Sequence, residues 1–175
     1  MNKFVFIFLH VIAWLIFVGL SIEAGALIVN FAFSVFKPEM VANLYQKMDL
    51  SVLHKQSEMV FFGMYGFVLF ISILKVLLFY TVIMLLLKLD LTKPFNSFVS
   101  HKISQISYCT FSIGILSYIA RQIANSLSTQ GYEMDQLSQF WVDSSAFILM
   151  AAIIYIIAVI FKRGIELQEE SELTI

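Results

Sequence analysis

Long runs of apolar residues alternate with short polar segments four times along this chain. The most continuous run covers residues 59–87, and Lys75 is its only charged residue. A helix needs roughly 20 apolar residues to cross a bilayer. The pattern therefore predicts an all-α, integral membrane four-helix bundle in one domain, with spans at about 4–29, 59–87, 103–124 and 140–161 and a cytoplasmic tail at 162–175.

The first run has two interpretations. Lys3, the apolar residues that follow it, and the small residues Ala24 and Ala26 resemble a secretory signal peptide with its cleavage site. The apolar character nevertheless continues to Phe36, well past such a site. We therefore expect an uncleaved first helix.

The connection at 37–58 is expected to hold a short amphipathic helix in the outer first loop. Pro38 suits a first helical turn, and apolar residues recur on one helix face: Val41, Leu44, Tyr45 and Met48. Ser51 is expected to cap the helix that leads into the second span. A ligand-binding lid is the alternative to a connector lying on the membrane surface.

The third run is the least apolar and the most regularly patterned. Asn96 or Ser97 is expected to cap its helix. Helices in lipid associate through close packing of small residues and through interhelical hydrogen bonds, so we place this helix at the centre of the bundle. A hydrophilic pore lining is the alternative. The small and polar residues that share one face are Ser107, Thr110, Gly114, Ser117, Arg121, Ala124 and Ser128.

Composition supports a membrane location independently of the pattern. The chain is 60% hydrophobic with a mean hydropathy of +0.88, more apolar side chain than 175 residues could hide from water. The lipid bilayer is therefore the expected surrounding. A net charge of -1 argues against direct binding of DNA or RNA.

Basic residues suggest the orientation. Four spans place both termini on one side, and cytoplasmic loops carry an excess of Lys and Arg. One side has six basic residues, whereas the other has three, or four with Arg121. We therefore expect a bacterial cytoplasmic (inner) membrane protein with both termini cytoplasmic. The six are Lys3, Lys88, Lys93, Lys102, Lys162 and Arg163.

Several charged residues fall inside the predicted spans. Helical rise places Glu23, Arg121 and Asp143 at one level, about 27 to 29 Å from the cytoplasmic end, with Lys75 about 10 Å lower. A Glu23–Arg121 ion pair, with Asp143 as alternate acceptor and Ser117 nearby, would satisfy charges that lipid penalises. This polar cluster is interpreted as holding the helices in register, with a ligand, ion or proton site as the alternative. Paired charges would predict a lower melting temperature for Glu23→Gln and Lys75→Met.

The sequence contains no recognisable catalytic or metal-binding motif. His10, His54 and His101 lie in three separate segments, so they are not expected to share a metal. Cys109, the single cysteine, has no histidine base at its depth. Glycine-rich phosphate loops and HExxH motifs do not occur. We expect a non-enzymatic protein without a cofactor.

Three stretches together resemble a known family. They are residues 19–31, residues 88–107 with their Pro94-Phe95 turn, and residues 161–175, whose RGxELQxExxLT pattern is the most specific. The chain is similar to small four-span bacterial membrane proteins catalogued as a domain of unknown function numbered in the late two thousands, in its Bacteroidetes-type version. The resemblance implies a multi-pass location in the cytoplasmic membrane but no established activity. Members are often encoded beside a small helix-turn-helix regulator, which implies such a protein as a partner.

A regulatory or adaptor role acting through the second loop and the tail is therefore the leading interpretation. The alternatives are an idle tail in water, or a small transporter or channel component that uses the charged cluster. The expected docking residues are Lys93, Pro94, Phe95, Arg163, Glu166, Leu167, Gln168, Glu170 and Leu173.

Overall fold

Four long helices dominate the structure, a computed structural model that describes residues 3–37, 40–41, 48, 50–89 and 95–172. The described residues contain no strand, and each long helix is long and apolar enough to cross a membrane. The predicted all-α four-helix architecture is confirmed. The long helices are α1 (Lys3–Phe36), α3 (Glu58–Lys88), α4 (Ser97–Thr129) and α5 (Ser144–Glu172), and α2 (Ser51–Gln56) and a 3₁₀ helix (Asp135–Phe140) are short.

Polar side chains mark where two of the long helices begin. The Ser57 hydroxyl accepts a hydrogen bond from the Val60 N–H at 3.4 Å at the start of α3. The prediction that Ser51 caps this helix is wrong, because Ser51 is the first residue of the separate helix α2. Asn96 caps α4 as expected, and its side chain accepts from the Val99 N–H at 2.9 Å.

Helix α5 is displaced relative to the predicted fourth span. It begins at Ser144, four residues after the expected start, because the preceding residues form the 3₁₀ helix and bury Leu137 and Phe140. At its other end α5 continues past Phe161, since no proline interrupts the sequence that follows. Most of the first loop, where the surface helix was predicted, lies outside the described residues.

The long helices pack in a sequential order. Helix α1 packs on α3, α3 on α4, and α4 most extensively on α5. Helices α3 and α4 are therefore the two central elements, whereas most side chains of α1 remain uncovered by protein. Such uncovered apolar side chains suit a surrounding of lipid.

The two ends of the bundle differ in construction. We call the end that holds α2 and the 3₁₀ helix the capped end, where Leu27, Phe61, Tyr65, Leu137 and Trp141 belong to one buried cluster. The opposite end, where α3 ends, α4 begins and α5 leaves the bundle, is called the tail end. Its core is small and joins Val99, Ile103 and Ala158.

Candidate functional site

The second loop and the tail meet at the tail end of the bundle. The ring of Phe95 lies 5.2 Å from the ring of Phe161, centroid to centroid. It also covers Gly164 so closely that an added Cβ would lie 2.6 Å from Phe95 Cδ1. We call Phe95, Phe161 and Gly164 the tail junction. Because α5 is still helical here, the junction holds the emerging helix against the start of α4.

Beyond the junction, α5 presents an exposed helical surface. Arg163 and Glu166 form an ion pair at 2.7 Å, one turn apart, and both side chains are exposed. Such a pair contributes only about 0–1 kcal/mol of stability. Leu167, which lies beyond the apolar segment of α5, is 65% exposed. The surface therefore combines an uncovered apolar side chain with charged neighbours.

The remaining predicted docking residues divide into two groups. Gln168 and Glu170 are exposed on the same helical extension, and each takes part in a polar interaction. Phe95 is 42% exposed although it packs on α5. Lys93, Pro94 and Leu173 lie outside the described residues. The structure thus brings Phe95 and the tail together.

Two lysines from different helices approach one aromatic ring at the tail end. The Nζ atoms of Lys88 and Lys102 lie 5.1 and 5.9 Å from the centre of the Phe98 ring. An ammonium group at this distance is attracted to the ring face. Lys102 also donates to Gln105 Oε1 at 2.8 Å. These contacts hold two ammonium groups at the tail end of the bundle.

The ion pairs predicted within the charged cluster do not form among the described residues. Within the described ranges, Glu23, Lys75, Arg121 and Asp143 form no ion pair within 4 Å, and the proposed Glu23–Arg121 pair is wrong. Arg121 and Asp143 are exposed, whereas Glu23 and Lys75 are half-buried, and Ser117 is buried. Equal depth in the membrane did not bring these side chains into an ion pair. A helix turns about 100° per residue, so residues at the same depth on different helices can point to different sides.

Glu23 and Lys75 lie on the pair of helices that contact each other. The Tyr65 hydroxyl lies 3.1 Å from Leu27 O, which sets the register of the antiparallel pair α1 and α3. By this register, Lys75 is six residues, about 9 Å along the helix axis, closer to the tail end than Glu23. The two side chains therefore lie at different depths, and no ion pair joins them.

A buried polar contact at the α1–α3 interface was not predicted. The Tyr65 hydroxyl also lies 2.8 Å from Asn30 Oδ1, and Asn30 is completely buried. Among the described residues, Asn30 Nδ2 has no hydrogen-bond partner. The presence of Asn30 within an apolar run indicated that it needs a polar partner. The sequence did not show which of the many aromatic residues in α3 is that partner.

The small-residue seam of α4 is confirmed for five of its seven positions, which are buried. Ser107 Oγ donates to Ala151 O at 2.9 Å, an interhelical bond to the α5 backbone. At Gly114 the two backbones approach so closely that a Cβ would lie 2.9 Å from the Ile148 nitrogen. The buried positions are Ser107, Thr110, Gly114, Ser117 and Ala124, whereas Arg121 and Ser128 are exposed.

These observations define a multi-pass, all-helical membrane protein. In the part of the chain that the structure describes, no group of three or more His, Cys, Asp or Glu residues is placed to hold a metal ion. The chain belongs to the family described as "Protein of unknown function (DUF2975)", whose model matches residues 42–175. That match contains the second and third stretches of the resemblance, whereas α1 precedes it. No curated protein and no solved structure matches the chain.

Proposed function

We propose that this protein is a non-enzymatic regulatory or adaptor component of the bacterial cytoplasmic membrane, which binds a soluble partner through the tail end. The tail junction is the observation that supports this proposal. Because Phe95 packs on Gly164, the helical extension of α5 leaves the bundle in a defined direction. A preorganised surface loses less conformational entropy on binding than a disordered tail would.

The orientation is part of the proposal. Lys88 and Lys102 near Phe98, and Lys162 and Arg163 on α5, lie toward the tail end. Cytoplasmic segments of membrane proteins are enriched in Lys and Arg. We therefore place the tail end in the cytoplasm and the capped end outside.

The proposed partner is a small helix-turn-helix regulator of the kind that the family resemblance implies. The extension of α5 carries Glu166, Glu169 and Glu170, and a DNA-binding domain carries a basic surface of complementary charge. Leu167 adds an apolar anchor within this acidic surface. Binding there would keep the regulator at the membrane and away from DNA.

Leu167 and Leu149 provide a matched test of this proposal. They lie on the same helix with nearly equal exposure, 65% and 64%, but Leu149 is within the membrane-spanning part. Leu167→Ser should weaken binding of the purified regulator to the protein in lipid nanodiscs by about fivefold or more, the effect of losing an interface anchor worth over about 1 kcal/mol. Leu149→Ala should leave the affinity unchanged.

Two outcomes would contradict the proposal. If the regulator bound the parent protein and the Leu167→Ser variant with equal affinity, Leu167 would not be an anchor of the interface. An equal loss of binding in Leu149→Ala, with an unchanged melting temperature, would also contradict the proposal, because a residue of the membrane-spanning part would then matter as much as the proposed anchor. The transporter alternative depended on a paired cluster of Glu23, Lys75 and Arg121, and we do not propose it because these residues form no ion pair within the described ranges.

A further inference from the structure

An apolar groove runs along the bundle between α3, α4 and α5. Its volume is about 450 Å³. The walls contain residues from all three helices: Leu78 and Phe79 of α3, Ile106 of α4, and Phe147, Met150 and Ile154 of α5. These side chains suit a hydrocarbon chain and offer nothing to a polar ligand.

Of the described residues that line this groove, two have polar side chains, Thr110 and Asp143. The Thr110 hydroxyl donates to Ile106 O within its own helix at 2.7 Å, so its proton is already used. Asp143 is exposed at the capped end, just before α5, and its carboxylate forms no hydrogen bond or ion pair with the described residues. The groove therefore terminates at one unpaired carboxylate.

The length of the groove matches one leaflet. From Asp143 to Ile154 there are 11 residues, about 16 Å along a helix and close to half of the roughly 30 Å hydrocarbon core. The membrane part of α5, residues 144–161, is about 27 Å long, nearly the whole core. Asp143 is thus at the level of lipid headgroups, and Ile154 is near mid-membrane.

We propose that this groove binds one phospholipid with an amine headgroup, phosphatidylethanolamine, from the leaflet at the capped end. One acyl chain lies along the apolar wall, and the headgroup ammonium donates hydrogen bonds to the Asp143 carboxylate. The quaternary amine of phosphatidylcholine has no proton to donate, and phosphatidylglycerol is an anion that the carboxylate repels. The inference concerns the end of the bundle opposite the tail and is independent of the proposed partner.

The test compares three lipids with identical acyl chains. Native mass spectrometry of the full chain in detergent would measure how much phosphatidylethanolamine, phosphatidylcholine or phosphatidylglycerol stays bound. We expect phosphatidylethanolamine to bind about two- to fivefold more tightly than phosphatidylcholine, the range for an exposed charge pair. Asp143→Asn should remove this preference. Asp135→Asn, an exposed carboxylate outside the groove at the same end, should retain it.

A second variant tests the acyl-chain site itself. Ala146 lines the groove, so Ala146→Phe should fill it and lower the binding of all three lipids. The proposal is overturned if the three lipids bind equally, or if Asp143→Asn keeps the preference for phosphatidylethanolamine. It is also overturned if Ala146→Phe converts a dimer into a monomer while lipid binding is unchanged, because a second copy would then occupy the groove.

Discussion

The contact between α4 and α5 at Gly114 makes a sharp prediction for Gly114→Ala. An added methyl group would lie 2.7 Å from Ile148 Cγ1, 2.9 Å from the Ile148 nitrogen and 3.2 Å from Ser144 O. Carbon atoms pack best at about 3.5–4.0 Å, so the two helices must separate by roughly 1 Å. Two of the three clashing atoms belong to backbone, which cannot rotate away as a side chain could.

The expected change in the free energy of unfolding is the difference between the cost of overpacking and the gain in helix propensity. Overpacking costs about 1–3 kcal/mol, and the backbone clash places Gly114→Ala in the upper half of that range. Alanine in place of glycine within a helix offsets about 1 kcal/mol of this cost. We therefore expect Gly114→Ala to lower the free energy of unfolding by about 1–2 kcal/mol.

Gly66 in α3 is the matched control, because an added Cβ there has no neighbour within 4 Å. Gly66→Ala should be neutral or stabilising by up to about 1 kcal/mol, the helix-propensity term alone. Reversible unfolding of both variants in mixed detergent and SDS would measure the difference. If Gly114→Ala proved as stable as Gly66→Ala, the reasoning about backbone contact would be refuted.

Three further predictions address the other interfaces. Tyr65→Phe should lower stability in the same SDS assay by about 1 kcal/mol, since it removes the hydroxyl that contacts two acceptors on α1, whereas the exposed Tyr80→Phe should have no effect. Lys75→Met should leave the melting temperature in detergent unchanged or raise it, because the half-buried ammonium has no acidic partner among the described residues, and a fall of several degrees would disprove this. Gly164→Val should displace the Phe95 ring, so the fluorescence of a Phe95→Trp reporter should shift to longer wavelength in the double variant; an unshifted spectrum would contradict the tail junction.

The number and approximate position of the spans could be predicted because composition determines them. The second predicted span, 59–87, differs from α3 by one residue at each end, since Glu58 and Lys88 end the apolar run on both sides. The end of α5 could not be found in this way. Lys162 and Arg163 mark where the apolar segment stops, but a helix can continue into water past that boundary.

The sequence could not reveal that the predicted Glu23–Arg121 ion pair does not form, because contact depends on the direction of a side chain as well as on its depth. The buried face of α4 contains Ser117, Ala120 and Ala124. Arg121 is one position beyond Ala120 and is not on this face. One position is a rotation of about 100°. The Tyr65–Asn30 contact was missed for a related reason, since nothing in the sequence says which helix α1 packs against.

The unbroken course of α5 makes it a lever arm. It contacts α4 closely at Ile148 and is held again by Phe95 at Gly164, so that eight residues, about 12 Å of helix, separate the tail junction from Glu172. Each degree of tilt at the tail junction would shift the far end by about 0.2 Å, a simple product of angle and length. A tilt of about 10° at the junction would therefore move the acidic extension by about 2 Å, and spin-label distances between the two ends of α5 and α3 can measure whether the contact of Phe95 with Gly164 limits the swing to this range.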